Sequence, residues 1–199
     1  MTKIGLLSDT HAYWDDRYLR HFEACDEIWV AGDVVDESIC DRLEASGKMC
    51  RVVWGNADPQ SMHLRYPKVQ EFEVEGVRVM MTHIGGYPGK WPRALYSHLM
   101  LARPQLFVCG HSHICKAMFD HTLGCLCLNP GAAGTYGQQV VRTLMRFVVD
   151  EGQIRDLEVI ELESAYDRYL RQQMENFEDD ITEGRCYPEM PEGQFVRSK

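Results

Sequence analysis

Five short stretches carry residue types that bind cations. They are Asp9-Thr10-His11, Gly32-Asp33, Gly55-Asn56, Thr82-His83 and Gly110-His111-Ser112-His113. Carboxylate and amide oxygens are hard donors, and neutral imidazole is the commonest protein metal ligand. No one of the five is specific. Ser8, Asp9 and Thr10 equally suit a helix N-cap. Gly-Asp and Gly-Asn are ordinary turn signals, and G-H-x-H is short. What they share is position, because each directly follows a short apolar run. Each therefore falls where a strand gives way to a loop, the edge at which α/β proteins bind ligands.

The elements that must position them follow from the pattern of apolar residues. Lys3–Leu7, Glu27–Ala31 and Met49–Trp54 read as strands. Between them a helix over about Asp16–Ala24 places Tyr18, Leu19 and Phe22 on one face, with Asp15-Asp16 suited to its N-cap. A second helix over Glu37–Ala45 is closed by Gly47. This βαβαβ order implies parallel strands with right-handed crossovers, which puts Asp9, His11, Asp33 and Asn56 on one sheet edge. Val69–Val74 alternates, Glu75-Gly76 turns, and Val77–Met81 returns as a half-exposed antiparallel hairpin that ends at His83. The Gly- and Pro-rich loop 84–92 is a candidate flap, with Lys90 and Arg93 as candidate contacts for an anion; the alternative is a plain surface loop with solvated charges. A helix over about Pro92–Ala102 precedes the strand Leu106–Cys109. Strands over Ile114–Phe119, Cys125–Leu128, Gln139–Val149 and Ile154–Ile160 follow. A helix over about Ser164–Ile181, striped by Tyr166, Tyr169, Leu170, Met174 and Phe177, leads to a loosely ordered tail.

Composition bounds the function. A chain of 199 residues suits one domain with a real core. The net charge of -9 argues against a broad grip on nucleic-acid backbone, and so against nucleic acid as a stable partner. A small phosphate-ester substrate held by a few positive groups remains compatible. Neither a signal-peptide core nor a run of membrane-span length is present, so a cytoplasmic location without membrane attachment is expected. The eight cysteines include no C-x-x-C pair and read as reduced, buried thiols.

In chain order, Asp-x-His, Gly-Asp, Gly-Asn, His and Gly-His-x-His resemble the motifs of the calcineurin-like metallophosphoesterase superfamily. The short chain and Asn129-Pro130-Gly131 resemble its small YfcE-type phosphodiesterases, and the retromer subunit Vps29 is similar in fold. The resemblance covers about residues 3–160. It implies an α/β fold of two packed mixed β-sheets flanked by helices. One domain would span 1–199, with its core over about 3–160 and a C-terminal helix and tail over 161–199. It implies two divalent metal ions per chain. Asp9, His11 and His113 would hold the first, Asn56, His83 and His111 the second, and Asp33 would bridge them. Manganese is the usual activating ion in the family; Fe, Ni, Co or Zn suit the same donors.

The implied activity is hydrolysis of phosphodiesters by a metal-bridging hydroxide, with catalysis assigned to Asp33, His83 and Asn56. Two departures stand out. Ala57 occupies a position where many relatives carry a His that assists the leaving group, and Ile84 replaces the usual Gly after the His of the fourth motif. The competing expectation is a Vps29-like protein-binding scaffold with weak or no catalysis. YfcE-type relatives often form dimers or larger assemblies, so a homo-oligomer is compatible too. His21, His63, His98 and His121 receive no role.

Overall fold

The computed structural model describes residues 1–139 and 141–162. The helix and tail expected beyond residue 163 lie outside the described residues. Ten strands and four helices form within them, in two five-stranded sheets. The first sheet contains β1 (Thr2–Leu7), β2 (Glu27–Val30), β3 (Met49–Val52), β9 (Arg142–Asp150) and β10 (Gln153–Leu162), in the order β10-β9-β1-β2-β3. The second contains β4 (Val69–Val74), β5 (Val77–Thr82), β6 (Leu106–Val108), β7 (Cys115–Asp120) and β8 (Cys125–Pro130), in the order β4-β5-β6-β8-β7. Both are mixed: β1, β2 and β3 run parallel, as do β5, β6 and β8, while β9, β10, β4 and β7 pair antiparallel with their neighbours.

Alternation along the strands builds three cores. Ile4, Leu6, Trp29 and Ala31 of the first sheet pack with Val79, Met81, Leu106 and Val108 of the second, filling the space between sheets. The intervening residues Leu7, Ile28 and Val30 face the other way. They pack against α1 (Arg17–His21) and α2 (Glu37–Ala45) through Tyr18, Phe22, Ile39 and Leu43. On the far side, Met80 and Phe107 meet Leu99 of α4 (Arg93–Ala102). The central strands are buried on both faces, which is why they read as continuous apolar runs.

Two helical segments differ from expectation. The first helix spans only five residues, Arg17–His21. Its capping carboxylate is Asp15, whose Oδ1 accepts from the backbone N–H of Arg17, while Asp16 makes no side-chain cap. Phe22 then turns its ring beneath Gly5, where a Cβ would meet the ring at 2.5 Å, and the chain enters β2. An unanticipated helix, α3 (Gln60–Arg65), follows Pro59. Of its apolar residues Met62 is buried and Leu64 exposed, so the segment has no 3.6-residue stripe to reveal it.

Asp15 ties this outer layer to β9. Its carboxylate receives Arg17 and, at 2.8 Å, the Arg142 guanidinium. Arg142 also donates to the Ala133 carbonyl at 2.7 Å. Burial opposes ionisation of Asp15, but the hydrogen bonds from Arg17 and Arg142 prevail and hold its pKa well below the ordinary carboxylate value. A depressed pKa stabilises the fold above the unfolded carboxyl range, about pH 3.9, and that stability is lost as pH falls towards the folded value. Asp15→Asn is therefore expected to cost about 2 kcal/mol at pH 7, less than a fully buried pair because the side chain is 10 % exposed. In urea titrations the gap from wild type should narrow below about pH 4; a gap that widens there would refute the assignment.

Candidate metal centre

The site forms where the carboxyl ends of the parallel strands of both sheets meet. Asp9 and His11 follow β1, Asp33 follows β2, His83 follows β5, and His111 and His113 follow β6. Backbone hydrogen bonds staple the loops together: Asp9 N–H to the Gly32 carbonyl, His11 N–H to Asp33, Gly110 N–H to His83, and Gly134 N–H to Asp9, all at 3.0 Å. Asp9, His11, Asp33, His111 and His113 all have φ between 45° and 68°. Left-handed backbone is uncommon outside glycine, though Asp and His tolerate it better than bulky residues. Such strain concentrates at functional sites.

Among the described residues, two groups of three potential ligands converge. Donor atoms of Asp9, His11 and His113 lie within 4.8 Å of one another, as do those of Asp33, His83 and His111. Asp33 Oδ2 stands between the groups, 3.1 Å from His83 Nε2 and 3.8 Å from His11 Nε2. Asp9 Oδ1 lies 3.3 Å from His113 Nε2 and 4.0 Å from the Nε2 atoms of His11 and His83. The Nε2 atoms of His11 and His113 face each other at 3.2 Å.

The residues present fit metal ions. Asp9 Oδ1 and His83 Nε2 are buried without a hydrogen-bond partner, an arrangement that costs free energy unless something else engages them. The surrounding shell turns their lone pairs inward. His83 Nδ1 donates to the Ala31 carbonyl at 2.7 Å, which leaves Nε2 as the acceptor of the neutral ring. Gln139 does the same for His113. The Gln139 amide nitrogen donates to the Gly134 and Tyr136 carbonyls, so its oxygen is the atom 3.0 Å from His113 Nδ1. Burial raises the Asp9 pKa and lowers that of His11. Burial also opposes the charged forms of Asp33 and His83, yet their mutual attraction prevails, holding Asp33 below and His83 above their ordinary values.

Asn56 lies in the loop after β3 and is exposed. The next residue anchors that loop: Ala57 N–H donates to Asp33 Oδ1 at 2.7 Å. Gly55 passes so close that a Cβ there would strike the Asp33 carboxylate, and a Cβ on Gly110 would strike Ser8 Oγ and Asp9 Oδ2. Of the unassigned histidines, His98 pairs with Glu71 at 2.5 Å and His63 stacks on Trp54.

Three supporting residues received no role from the sequence, Asn129 being noted only as part of Asn129-Pro130-Gly131. Asp58 accepts from the N–H groups of Asp33, Val35 and Gly55. Asn129 donates to the Gly110 carbonyl and to Ser112 Oγ. Gln139 is the third. Asp58 had a signal, the fourth position of Gly-Asn-x-Asp; Gln139 had none. Gln139→Ala is expected to weaken metal binding at the Asp9 group about 10-fold, read by titrating metal-stripped protein; unchanged affinity would deny Gln139 this orienting role.

Comparison with known proteins agrees with this fold. Among curated proteins none matches the chain significantly. Solved structures do. A Thermotoga maritima protein is 27 % identical, covering 81 % of this chain and 100 % of its own, with a TM-score of 0.61. An archaeal phosphodiesterase is 18 % identical, covering 80 % and 99 %, with a TM-score of 0.64. Vps29 of Entamoeba histolytica, solved in complex with Zn2+, is 16 % identical, covering 80 % and 98 %, with a TM-score of 0.60. The description that fits the sequence itself is the calcineurin-like phosphoesterase superfamily domain, matched over residues 2–152. That span takes in every strand-end residue of the two clusters and both sheets up to β10, and the chain belongs to the calcineurin-like phosphoesterase superfamily.

Proposed function

We propose that the chain is a metal-dependent phosphoesterase, acting on small phosphodiesters at a two-metal site. The observation that carries this reading is the pair of facing Asp/His clusters, in which two buried atoms, Asp9 Oδ1 and His83 Nε2, lack a hydrogen-bond partner. Asp9, His11 and His113 would hold one ion, His83, His111 and Asn56 the other, and Asp33 both. Divalent ions there would lower the pKa of water and clamp the attacking and leaving oxygens of an in-line displacement. The chain's own part is orientation: Ala31 and Gln139 aim imidazoles, Ala57 N–H fixes Asp33, and Asp58 fixes the loops. Manganese is the ion we propose, and mixed oxygen and nitrogen donors without thiolate support it or a neighbouring first-row metal. The seven described cysteines are free thiols, which supports a reducing, cytoplasmic setting. No described helix is long and apolar enough to cross a membrane.

The test is hydrolysis of bis-p-nitrophenyl phosphate by metal-stripped protein, with and without Mn2+. Metal-dependent turnover is expected. Two bound ions per chain without turnover would favour the protein-binding scaffold instead. Ala57 offers no proton to a leaving group. An alkoxide leaves poorly unprotonated, whereas an aryl oxide hardly needs the proton. Aryl diesters should turn over at least about 100-fold faster than alkyl diesters, the lower end of what general-acid assistance is worth; comparable kcat values would refute this.

A further inference from the structure

Beside His111 lies a cavity of about 180 Å³. The loop after β5 closes one side with Tyr87, Ile114 stands just before β7, β7 supplies Lys116 and Met118, and β8 supplies Leu128. We propose that this cavity is the subsite for an aromatic ring on the phosphate ester. The proposal rests on the phosphoesterase reading and names the substrate class that this site selects.

Size, chemistry and position support it. An apolar cavity of about 150 Å³ holds benzene, so this one fits a substituted six-membered ring. Its side chains favour a π-system over an alkyl chain. A thioether and an ammonium group both gain from an aromatic partner, and the Lys116 ammonium already lies 4.1 Å from the centre of the Tyr87 ring. No carboxylate is among the described residues lining the cavity, so nothing there favours a cationic substituent. Ile114 and Tyr87 remain 58 % and 36 % exposed, leaving apolar surface for a ligand to cover. Position supplies the link to the phosphate. His111 lines the cavity and also belongs to the cluster with Asp33 and His83. A phosphate bound at that cluster has one ester arm directed towards the cavity.

Calorimetry with the Mn-loaded full chain tests this without turnover, because phosphonates have no ester bond to break. The probes are inorganic phosphate, methylphosphonate, cyclohexylphosphonate and phenylphosphonate. Phenylphosphonate is expected to bind at least 10-fold tighter than methylphosphonate and several-fold tighter than the cyclohexyl compound. Ile114→Trp, at an exposed position that leaves the core intact, should fill the cavity and close the gap between phenyl and methyl. Met118→Glu should close it by a different route, through a half-buried charge. Equal affinity for the phenyl and methyl probes, for the phenyl and cyclohexyl probes, or a gap that survives both substitutions, overturns the subsite while phosphate binding still supports the metal centre. Failure of every probe, inorganic phosphate included, overturns the phosphoesterase reading and the subsite with it.

Discussion

Asp33→Ala is expected to abolish metal-dependent phosphoesterase activity, by about 1,000-fold or more, and to reduce the bound metal from two ions per chain to one or fewer. Its carboxylate stands between the two clusters. One oxygen is 3.1 Å from His83 Nε2 and 3.8 Å from His11 Nε2, and the other is fixed by the Ala57 N–H. Metal clamping of transition-state charge is worth several kcal/mol, and each 1.36 kcal/mol is tenfold in rate. The same substitution should be mild for the metal-free fold. Asp33 and Asp9 repel each other, and that repulsion contributes to the raised pKa of Asp9. Removing one carboxylate relieves it, which offsets part of what is lost with the His83 attraction and the Ala57 N–H bond. The second readout is thermal. Metal that binds only the folded state at 100 times its Kd stabilises by about 2.7 kcal/mol, so Mn2+ should raise the wild-type Tm and do much less for the variant. Activity within tenfold of wild type, with two ions still bound, would remove Asp33 from the centre of the mechanism.

The ligands were legible because of how this fold buries its strands. β1, β2 and β6 are covered on both faces and read as apolar runs, and β5 does so after the exposed Arg78. The first Asp or His after each run is Asp9, Asp33, His83 or His111 in turn. The parallel order of β1 to β3 then follows from the helices between them, and with it the shared edge. The pairing of the two sheets was legible only through the resemblance to the superfamily, because no local pattern says that β5 and β6 deliver His83 and His111 opposite Asp33. What stayed hidden acts through loops at long range. Arg142 reaches Asp15 across 127 residues and Gln139 reaches His113 across 26. Neither contact leaves a trace in periodicity, and a Gln or Arg at a loop–strand boundary has the composition of any solvated surface. The cavity beside His111 was hidden for the same reason. It is made by residues of β7 and β8 with a loop that the sequence marked only as rich in Gly and Pro.

Asp58 is where such a hidden contact matters most, and Asp58→Ala is expected to cost both stability and metal. The carboxylate is buried and receives three backbone donors: Asp33 N–H at 3.1 Å, Val35 N–H at 2.6 Å and Gly55 N–H at 2.7 Å. It thereby joins the loop after β2 to the loop after β3, next to two left-handed residues, Asp33 and Val35, with φ of 53° and 70°. A β-branched residue such as Val35 holds that conformation only under constraint. Alanine would leave three N–H groups without a partner, and each buried orphan costs about 1–3 kcal/mol. Water entering the vacated space would recover part of this, so a net loss of about 3 kcal/mol is expected in urea unfolding. Freed of its anchor, the Asp33 loop can relax from its left-handed turn, and metal affinity should fall about 10- to 100-fold, as for other residues that orient ligands. Asparagine should not rescue either property. An ionised carboxylate is an acceptor at both oxygens, whereas an amide presents N–H groups on one side, and each side of Asp58 faces a donor. Asp58→Asn should therefore resemble Asp58→Ala in metal affinity. Wild-type affinity in the asparagine variant would mean that the Asp33 loop is held by its strands and not by Asp58.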